Sequence, residues 1–223
     1  MFSAVSADST DRLLEAKTLI NICKDSNSDN TFKAKLYNDR ILMGNVYVLL
    51  YGALEYTITH CVFRAIELLN NETLNLYDVK PTLWGLSYDS DCTRMEMAGS
   101  NKKWENRRKL FMHFTKNEIL RKAQDDLFPS SNGNIKETQL QRVWDTFGLT
   151  SPMFEPGYES VRGHLTTLAE GRMAIAHGDE KASVRGGQKS INELEDLYNS
   201  ISRYCSYLID CFTEYIQNKQ YLQ

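Results

Sequence analysis

One segment of the sequence limits the fold more than any other. Residues 31–71 contain no proline, and their apolar side chains recur at spacings of three and four. This spacing places apolar side chains on one face of an α-helix. The apolar positions are densest at residues 46–54, so the middle of this helix should be covered on more than one side. We predict one long central helix against which the rest of the chain packs.

Four further segments show the same periodicity, and no segment shows the alternation that is typical of strands. Gly148 and Gly178 stand where two of these helices should end. Ser190 and Glu193 have the spacing of a capping box at the start of the last helix. The predicted helices are residues 8–24, 135–147, 158–177 and 191 to about 218. The fold class is therefore expected to be all-α, an up-and-down helical bundle.

The periodicity weakens between residues 72 and 134, where Pro81, Gly99 and Pro129 interrupt it. We expect an insertion of short helices and loops there, within a single domain that spans residues 1–223. A chain of 223 residues, 42% hydrophobic and 25% charged, is long enough to bury one core. Residues 182–188 are predicted to form a flexible loop.

Cysteine usage and hydropathy bear on the compartment. The five cysteines are odd in number and form no C-x-x-C pair, which favours neither a disulfide framework nor a zinc ribbon. The longest uncharged run, residues 41–54, is shorter than the roughly 20 residues that a membrane helix needs. The first residues lack the basic start of a signal peptide. We expect a cytoplasmic protein with no membrane partner.

The histidines do not suggest a metal centre. His60, His113 and His164 are isolated from one another and from acidic pairs at ligand spacing. We therefore expect no metal site and no cofactor.

Positive charge is concentrated in one segment. Residues 101–122 hold eight Lys or Arg against two Glu, whereas the whole chain has a net charge of −3. A polyanion should be attracted to this segment, where aromatic side chains could add base stacking. The alternative, equally open from the sequence, is a solvated helix whose aromatic residues belong to the core. The candidate RNA-binding residues are Lys102, Lys103, Trp104, Arg107, Arg108 and Lys109.

The segment 170–178 holds the strongest candidate for a chemical site. Arg172 follows Leu165 and Leu168 in the apolar stripe of its predicted helix, where a guanidinium is costly unless it is paired or faces a cleft. His177 lies about 140° further round an ideal helix, in a last turn that favours an imidazolium. We expect both side chains to reach one cleft at a buried helix end.

Such a pair suits the cleavage of RNA. The ribose 2′-OH supplies an internal nucleophile, so the protein has only to move protons and stabilise charge on the phosphate. An imidazole can do the first and a guanidinium fork the second. The spacing alone leaves open that Arg172 pairs with a carboxylate and that His177 caps helix carbonyls. Glu55 either orients Arg172 across the bundle or pairs within its own helix near Thr59.

The segment Arg172-Met-Ala-Ile-Ala-His177-Gly178 resembles the R-x4-6-H signature of the HEPN superfamily, helical proteins that include many ribonucleases. Residues 43–55 resemble the helix with an aliphatic run, a small residue and Glu that is found in the MAE_28990/MAE_18760-like branch. Residues 133–149, followed by the Arg/His helix, match the order of elements in that branch. The resemblance spans residues 39 to 212.

This resemblance implies an all-helical homodimer in which two R-x4-6-H motifs meet and form a metal-independent endoribonuclease site. Arg172 would then bind the scissile phosphate, and His177 would act as general acid or base or orient the 2′-OH. RNA would be the substrate, and an antitoxin or sensor protein a possible partner of a toxin or defence component. Met173 stands where active members often have Asn, Asp or His. A non-catalytic RNA- or protein-binding module is therefore the alternative.

Overall fold

The computed structural model describes residues 1–26, 37–129 and 134–223. Within these ranges the ordered elements are helices, one 3-10 turn and two isolated antiparallel bridges, with no strand. The predicted all-α class is confirmed. The helices are α1 (Ser3–Ser26), α2 (Tyr37–Asn70), α3 (Trp84–Ser87), α4 (Asp89–Met97), α5 (Ser100–His113), α6 (Glu137–Phe147), α7 (Val161–Ala176), α8 (Ala182–Gly186) and α9 (Ile191–Gln217).

The helix boundaries follow the predicted ones closely in most places. α1 begins five residues earlier than its periodicity indicated, and α7 begins three residues later. The first six residues of the predicted central helix lie outside the described residues. At the start of α9, Ser190 Oγ accepts the Glu193 N–H and the Glu193 carboxylate accepts the Ser190 N–H, so the predicted capping box is present.

α2 is the centre of the bundle. Its 34 residues extend over about 50 Å at 1.5 Å per residue, and it packs against α1, α7, α8 and α9. Tyr51 and Ala53 are both almost completely buried, although they point about 160° apart around an ideal helix. The prediction that the middle of this helix is covered on more than one side is confirmed.

The length of α2 also meets a simple criterion for a membrane span. Tyr37–Asn70 is long and apolar enough to cross a bilayer by length and composition, a test that a buried core helix passes as well. More than half of its most apolar window is buried inside the protein. Packing within the bundle therefore accounts for its apolar surface.

Residues 182–188 are not the flexible loop that the sequence suggested, because most of them form α8. α8 lies directly against the backbone of α2. A Cβ atom at Gly44 would overlap the Ala182 carbonyl oxygen, and one at Gly186 would overlap the Arg40 carbonyl oxygen. Real Cβ atoms do not approach backbone this closely. Two glycines thus allow α8 to cover the start of α2.

The insertion forms a small layer beside one end of the bundle. Leu76, Tyr88 and Leu110 make a separate apolar cluster there. Its entry and exit segments are joined by the hydrogen bond from Leu76 N–H to the Glu118 carbonyl. A second connection runs from Lys80 N–H to the carbonyl of Tyr221, which ties the insertion to the residues that follow α9.

The contact between α2 and α8 can be tested with two alanine substitutions in one helix. We expect Gly44→Ala to lower the free energy of unfolding by about 1–3 kcal/mol, because the new methyl group meets backbone that cannot move aside alone. Gly52→Ala, with nothing within 4 Å of the new Cβ, should raise it by up to about 1 kcal/mol. Urea unfolding of both variants measures the difference, and equal effects would contradict the packing.

Candidate functional site

Arg172 lies on α7 and is half-buried. Its guanidinium carbon is 5.0 Å from the ring centroid of Tyr51, a cation–π contact with α2. Its Nη1 donates a hydrogen bond of 3.1 Å to Oδ1 of Asn134. Because a guanidinium can only donate hydrogen bonds, the amide atom of Asn134 that faces Arg172 must be the oxygen. Two neutral groups from different parts of the chain therefore hold the guanidinium.

No carboxylate in the described part of the chain forms an ion pair with Arg172. The alternative in which Arg172 pairs with an acidic residue of the bundle is therefore not what these residues show. Its positive charge is stabilised by the face of a ring and by an amide dipole, neither of which neutralises it. In the ranges that the structure describes, one protein acceptor contacts its N–H donors, and the other donors are available to an anion.

Tyr51 is buried beneath Arg172, and its hydroxyl oxygen accepts the Ile135 N–H at 2.6 Å. Burial raises the pKa of Tyr51 to about 12, and the Glu55 carboxylate one turn away adds to this rise. The Ile135 N–H and the Arg172 charge oppose it. Glu55 thus raises the pKa of Tyr51, and among the described residues it makes no ion pair with Arg172.

His177 lies at the C-terminal end of α7, where its backbone N–H donates to the Met173 carbonyl at 2.9 Å. The helix end predicted to be buried is exposed, including Ala176, His177 and Gly178. Within the described residues the imidazole forms no hydrogen bond or ion pair, so it does not cap carbonyls. Gly178 has φ +77°, a left-handed conformation that glycine adopts without strain. The ring of His177 is free to meet a ligand from solvent.

The packed face of α7 differs from the predicted apolar stripe. It includes Leu165 and Leu168 as expected, but beyond them the core follows Ala169 and Gly171. A Cβ atom at Gly171 would lie 2.5 Å from Cδ1 of Tyr47, so the absence of a side chain lets α7 approach α2. This shift places Arg172 at the edge of the interface and not inside it.

Asn134 is a component of the site that the sequence analysis missed. Besides accepting from Arg172, its amide donates from Nδ2 to the sulfur of Met173. It thus links two adjacent residues of α7 to the segment that precedes α6. Met173 is half-buried and offers a weak acceptor where an amide or carboxylate would offer a strong one.

A second arginine stacks on the same face of α2. Arg185 of α8 lies 5.9 Å from the ring centroid of Tyr47, one turn before Tyr51. It also forms an ion pair of 2.8 Å with Glu180, which accepts a further hydrogen bond from Gln188. Arg185 was not predicted, and it fastens the segment that follows His177.

The predicted RNA-binding residues lie on α5, in the insertion. Trp104 is 73% exposed and Phe111 63%, so these two aromatic rings do not belong to the core. The Arg107 guanidinium lies 5.0 Å from the Trp104 ring centroid, whereas Lys109 pairs with Glu105 at 2.6 Å. The remaining members of the set differ in exposure, with Lys102 and Arg108 exposed and Lys103 half-buried.

The aromatic side chains of this segment are divided between solvent and the core of the insertion. Phe114, just after α5, stacks on Trp84 at 5.1 Å within the insertion. α5 packs mainly on α4, whereas α7 packs on α2, α8 and α9. The structure therefore brings Arg172, Glu55 and Met173 into one neighbourhood and places the α5 residues elsewhere. Within residues 1–26, 37–129 and 134–223, no group of three His, Cys, Asp or Glu side chains could hold a metal ion.

Comparison with known proteins gives one result. A family model described as MAE_28990-like HEPN matches residues 1–221, which include the bundle, the insertion and both Arg172 and His177. No curated protein and no solved structure gives a significant match.

The support for Arg172 predicts a measurable difference between two tyrosines of α2. Tyr51→Phe leaves the buried Ile135 N–H without its acceptor, and we expect the free energy of unfolding to fall by about 1–3 kcal/mol. Tyr56→Phe removes a hydrogen bond to Asp8 on the exposed surface and should change it by about 0.5 kcal/mol or less. Urea denaturation gives both values. Equal decreases would show that the Tyr51 hydroxyl does not support the segment at Ile135.

Proposed function

Because this chain belongs to the MAE_28990-like HEPN family, whose fold often serves ribonucleases, we propose that it is a metal-independent endoribonuclease of toxin or antiviral-defence type. One observation supports the proposal more than any other. Among the described residues, the N–H groups of Arg172 meet a single protein acceptor, the neutral amide of Asn134, while the exposed His177 lies at the end of the same helix.

Arg172 is the group that binds the scissile phosphate. A guanidinium with free N–H groups can donate two parallel hydrogen bonds to phosphate oxygens. These bonds strengthen as negative charge builds up on the phosphate in the transition state, so they lower the barrier and do more than bind the substrate. Asn134 and Tyr51 hold the guanidinium in place without competing for its charge.

His177 is the group that moves protons. The 2′-OH attacks the adjacent phosphorus as an imidazole takes its proton, and the bond to the 5′ oxygen breaks as that oxygen gains a proton. The products are a 2′,3′-cyclic phosphate and a 5′-OH. Imidazole is suited to both transfers because it exchanges protons near neutral pH.

In an in-line displacement the attacking 2′ oxygen and the departing 5′ oxygen lie on opposite sides of the phosphorus, so one imidazole does not reach both, and a homodimer would supply a second. We place the exposed end of α7 at the interface of a homodimer, so that His177 of the partner subunit serves as the acid while this one serves as the base. The exposure of residues 176–179 supports this arrangement, since such a surface is available to a second copy. The five cysteines, all in the described part of the chain, form no disulfide with one another, which is in keeping with activity in the cytoplasm.

The second candidate function is a non-catalytic module of the same fold that binds RNA or protein. Met173 favours it, because its sulfur gives Asn134 only a weak acceptor beside Arg172. The two functions differ in a single result, whether bound RNA is cut.

RNA first contacts the protein on α5. The exposed Trp104 and Phe111 point away from the core, and Arg107 stacks against Trp104 beside Arg108. Rings of this kind stack with unpaired bases while the basic residues contact phosphates. Single-stranded RNA is therefore the proposed substrate.

Cleavage tests the catalytic proposal. We expect the purified protein to cut single-stranded RNA in EDTA, leaving 2′,3′-cyclic phosphate ends that end-group analysis detects. Arg172→Ala and His177→Ala should each lower the cleavage rate by about 100-fold or more, because each removes a group that acts in the transition state. His164→Ala is the control on the same helix, since that half-buried ring lies eight residues, or about two helical turns, before Arg172. Equal cleavage by the wild type and both site variants would overturn the proposal.

Salt dependence tests the α5 surface. Replacing Arg107 and Arg108 with alanine should reduce the slope of log affinity against log salt concentration by about 0.7 for each phosphate that the variant no longer neutralises. Trp104→Ala should weaken binding by about 1–3 kcal/mol, because one base can no longer stack on the indole ring. Fluorescence anisotropy of a labelled single-stranded RNA measures both. Arg12→Ala, which removes a similar cation–π pair with Tyr56 at 4.2 Å on another face, should change neither.

A further inference from the structure

A cleft of about 230 Å³ lies between the start of α6 and the middle of α7. Leu165 and Ala169 form its apolar floor, and both are almost fully buried. Thr138 and Thr166 line its sides with hydroxyl groups. The cleft is smaller than the roughly 300–1,000 Å³ that is usual for drug-sized ligands, so it suits one flat ring system.

Both walls of the cleft lead into the Arg172 site. On α7, residues 166, 170, 173 and 177 follow one another at spacings of four, three and four, so a single strip of the helix joins the cleft to Met173 and His177. On the other wall, Lys136 comes two residues after Asn134, the hydrogen-bond acceptor of Arg172. A group in the cleft would therefore be a close neighbour of a phosphate on Arg172.

The charges around the cleft balance. Lys136 and Arg162 are matched by Glu137 and Glu170, and Arg162 forms an ion pair of 3.1 Å with Glu137 across the two walls. A balanced rim gives little attraction for a phosphate. It does offer both donors and acceptors to the edge of a neutral ring, while the apolar floor covers one face of that ring.

We infer that this cleft is a base-binding subsite, which receives the nucleobase next to the phosphate held by Arg172 and sets the base preference of cleavage. The inference rests on the proposed function for its position along the RNA. Its chemistry stands on the cleft alone: a planar heterocycle on Leu165 and Ala169, with its edge facing Glu170 and the threonine hydroxyls.

The binding test uses free nucleosides and needs no cleavage. Adenosine, cytidine and uridine are titrated into isotope-labelled protein, and we expect the backbone amide signals of Thr166, Ala169 and Glu170 to shift with saturation by at least one nucleoside. Inorganic phosphate should leave these signals unchanged. No shift with any nucleoside, or equal shifts with phosphate, would overturn the inference.

Two variants make the test specific. Thr166→Phe fills the cleft from an exposed position and should weaken nucleoside binding at least 10-fold. Thr18→Phe is its control on α1, where an exposed threonine makes the same hydroxyl bond to the carbonyl four residues earlier. Glu170→Gln removes a charge without filling space and should change the order of preference among the nucleosides. If both cleft variants bind nucleosides as the wild type does, the inference is wrong.

The failure of this inference is distinguishable from that of the proposed function. With active protein, Thr166→Phe should raise KM and alter the sites that are cut, with little change in kcat. Unaltered cleavage sites would overturn the subsite and leave the ribonuclease proposal standing. Saturable nucleoside binding in a protein that cuts no RNA would overturn the ribonuclease proposal and leave the base-binding cleft standing.

Discussion

One strip of α2 determines where the other parts of the site lie. Gly44, Tyr47 and Tyr51 follow one another at helical spacing, and each receives a different element. Gly44 admits the backbone of α8, Tyr47 fits against Gly171 of α7, and Tyr51 lies under Arg172. Because these contacts involve backbone and rigid rings, a shift of α2 along its axis would separate all of them. The central helix is therefore the common reference for α7 and α8.

The way Arg172 is held has a physical consequence for its charge. A buried carboxylate partner would offset the cost of desolvation, but it would also occupy the guanidinium and weaken its attraction for an anion. The tyrosine ring and the amide oxygen offset the desolvation cost of Arg172 less than a carboxylate would, but they leave its charge available to an anion. Partial exposure keeps the remaining desolvation cost small. This geometry is typical of an arginine that binds a ligand, whereas an arginine that joins two helices is usually paired with a carboxylate.

Much of the fold could be predicted from the sequence, because a helix that buries one face has apolar residues at spacings of three and four along the chain. α6, α9 and the described part of α2 were predicted within a few residues for this reason. α8 was not, since five residues are too few to show a period. Its position depends on Gly44 of α2 and on its own Gly186, which a single sequence gives no reason to pair. The capping box at Ser190 was visible because its two members lie three residues apart.

The candidate site was predictable only where its residues share a helix. Arg172 and His177 stand five residues apart, and Glu55 could be found as a charge in an apolar segment. Asn134 lies 38 residues before Arg172 in a segment without periodicity, so no local signal marks it. Tyr51 resembles any other core residue in the sequence. The predicted burial of the helix end failed because Gly171, which has no side chain, turned the packed face of α7 toward Tyr47.

The unequal support of Arg172 and His177 has a consequence for conformational entropy. A long side chain loses rotamer freedom when it is ordered, at a cost of up to about 2 kcal/mol. For Arg172, the contacts with Tyr51 and Asn134 restrict the side chain during folding, before any ligand arrives. His177 is exposed and keeps its freedom in the single chain, so any ligand or protein surface that binds at the end of α7 would have to order its ring on binding. The entropy cost of ordering Arg172 is met during folding, whereas that of ordering His177 would be met only during binding.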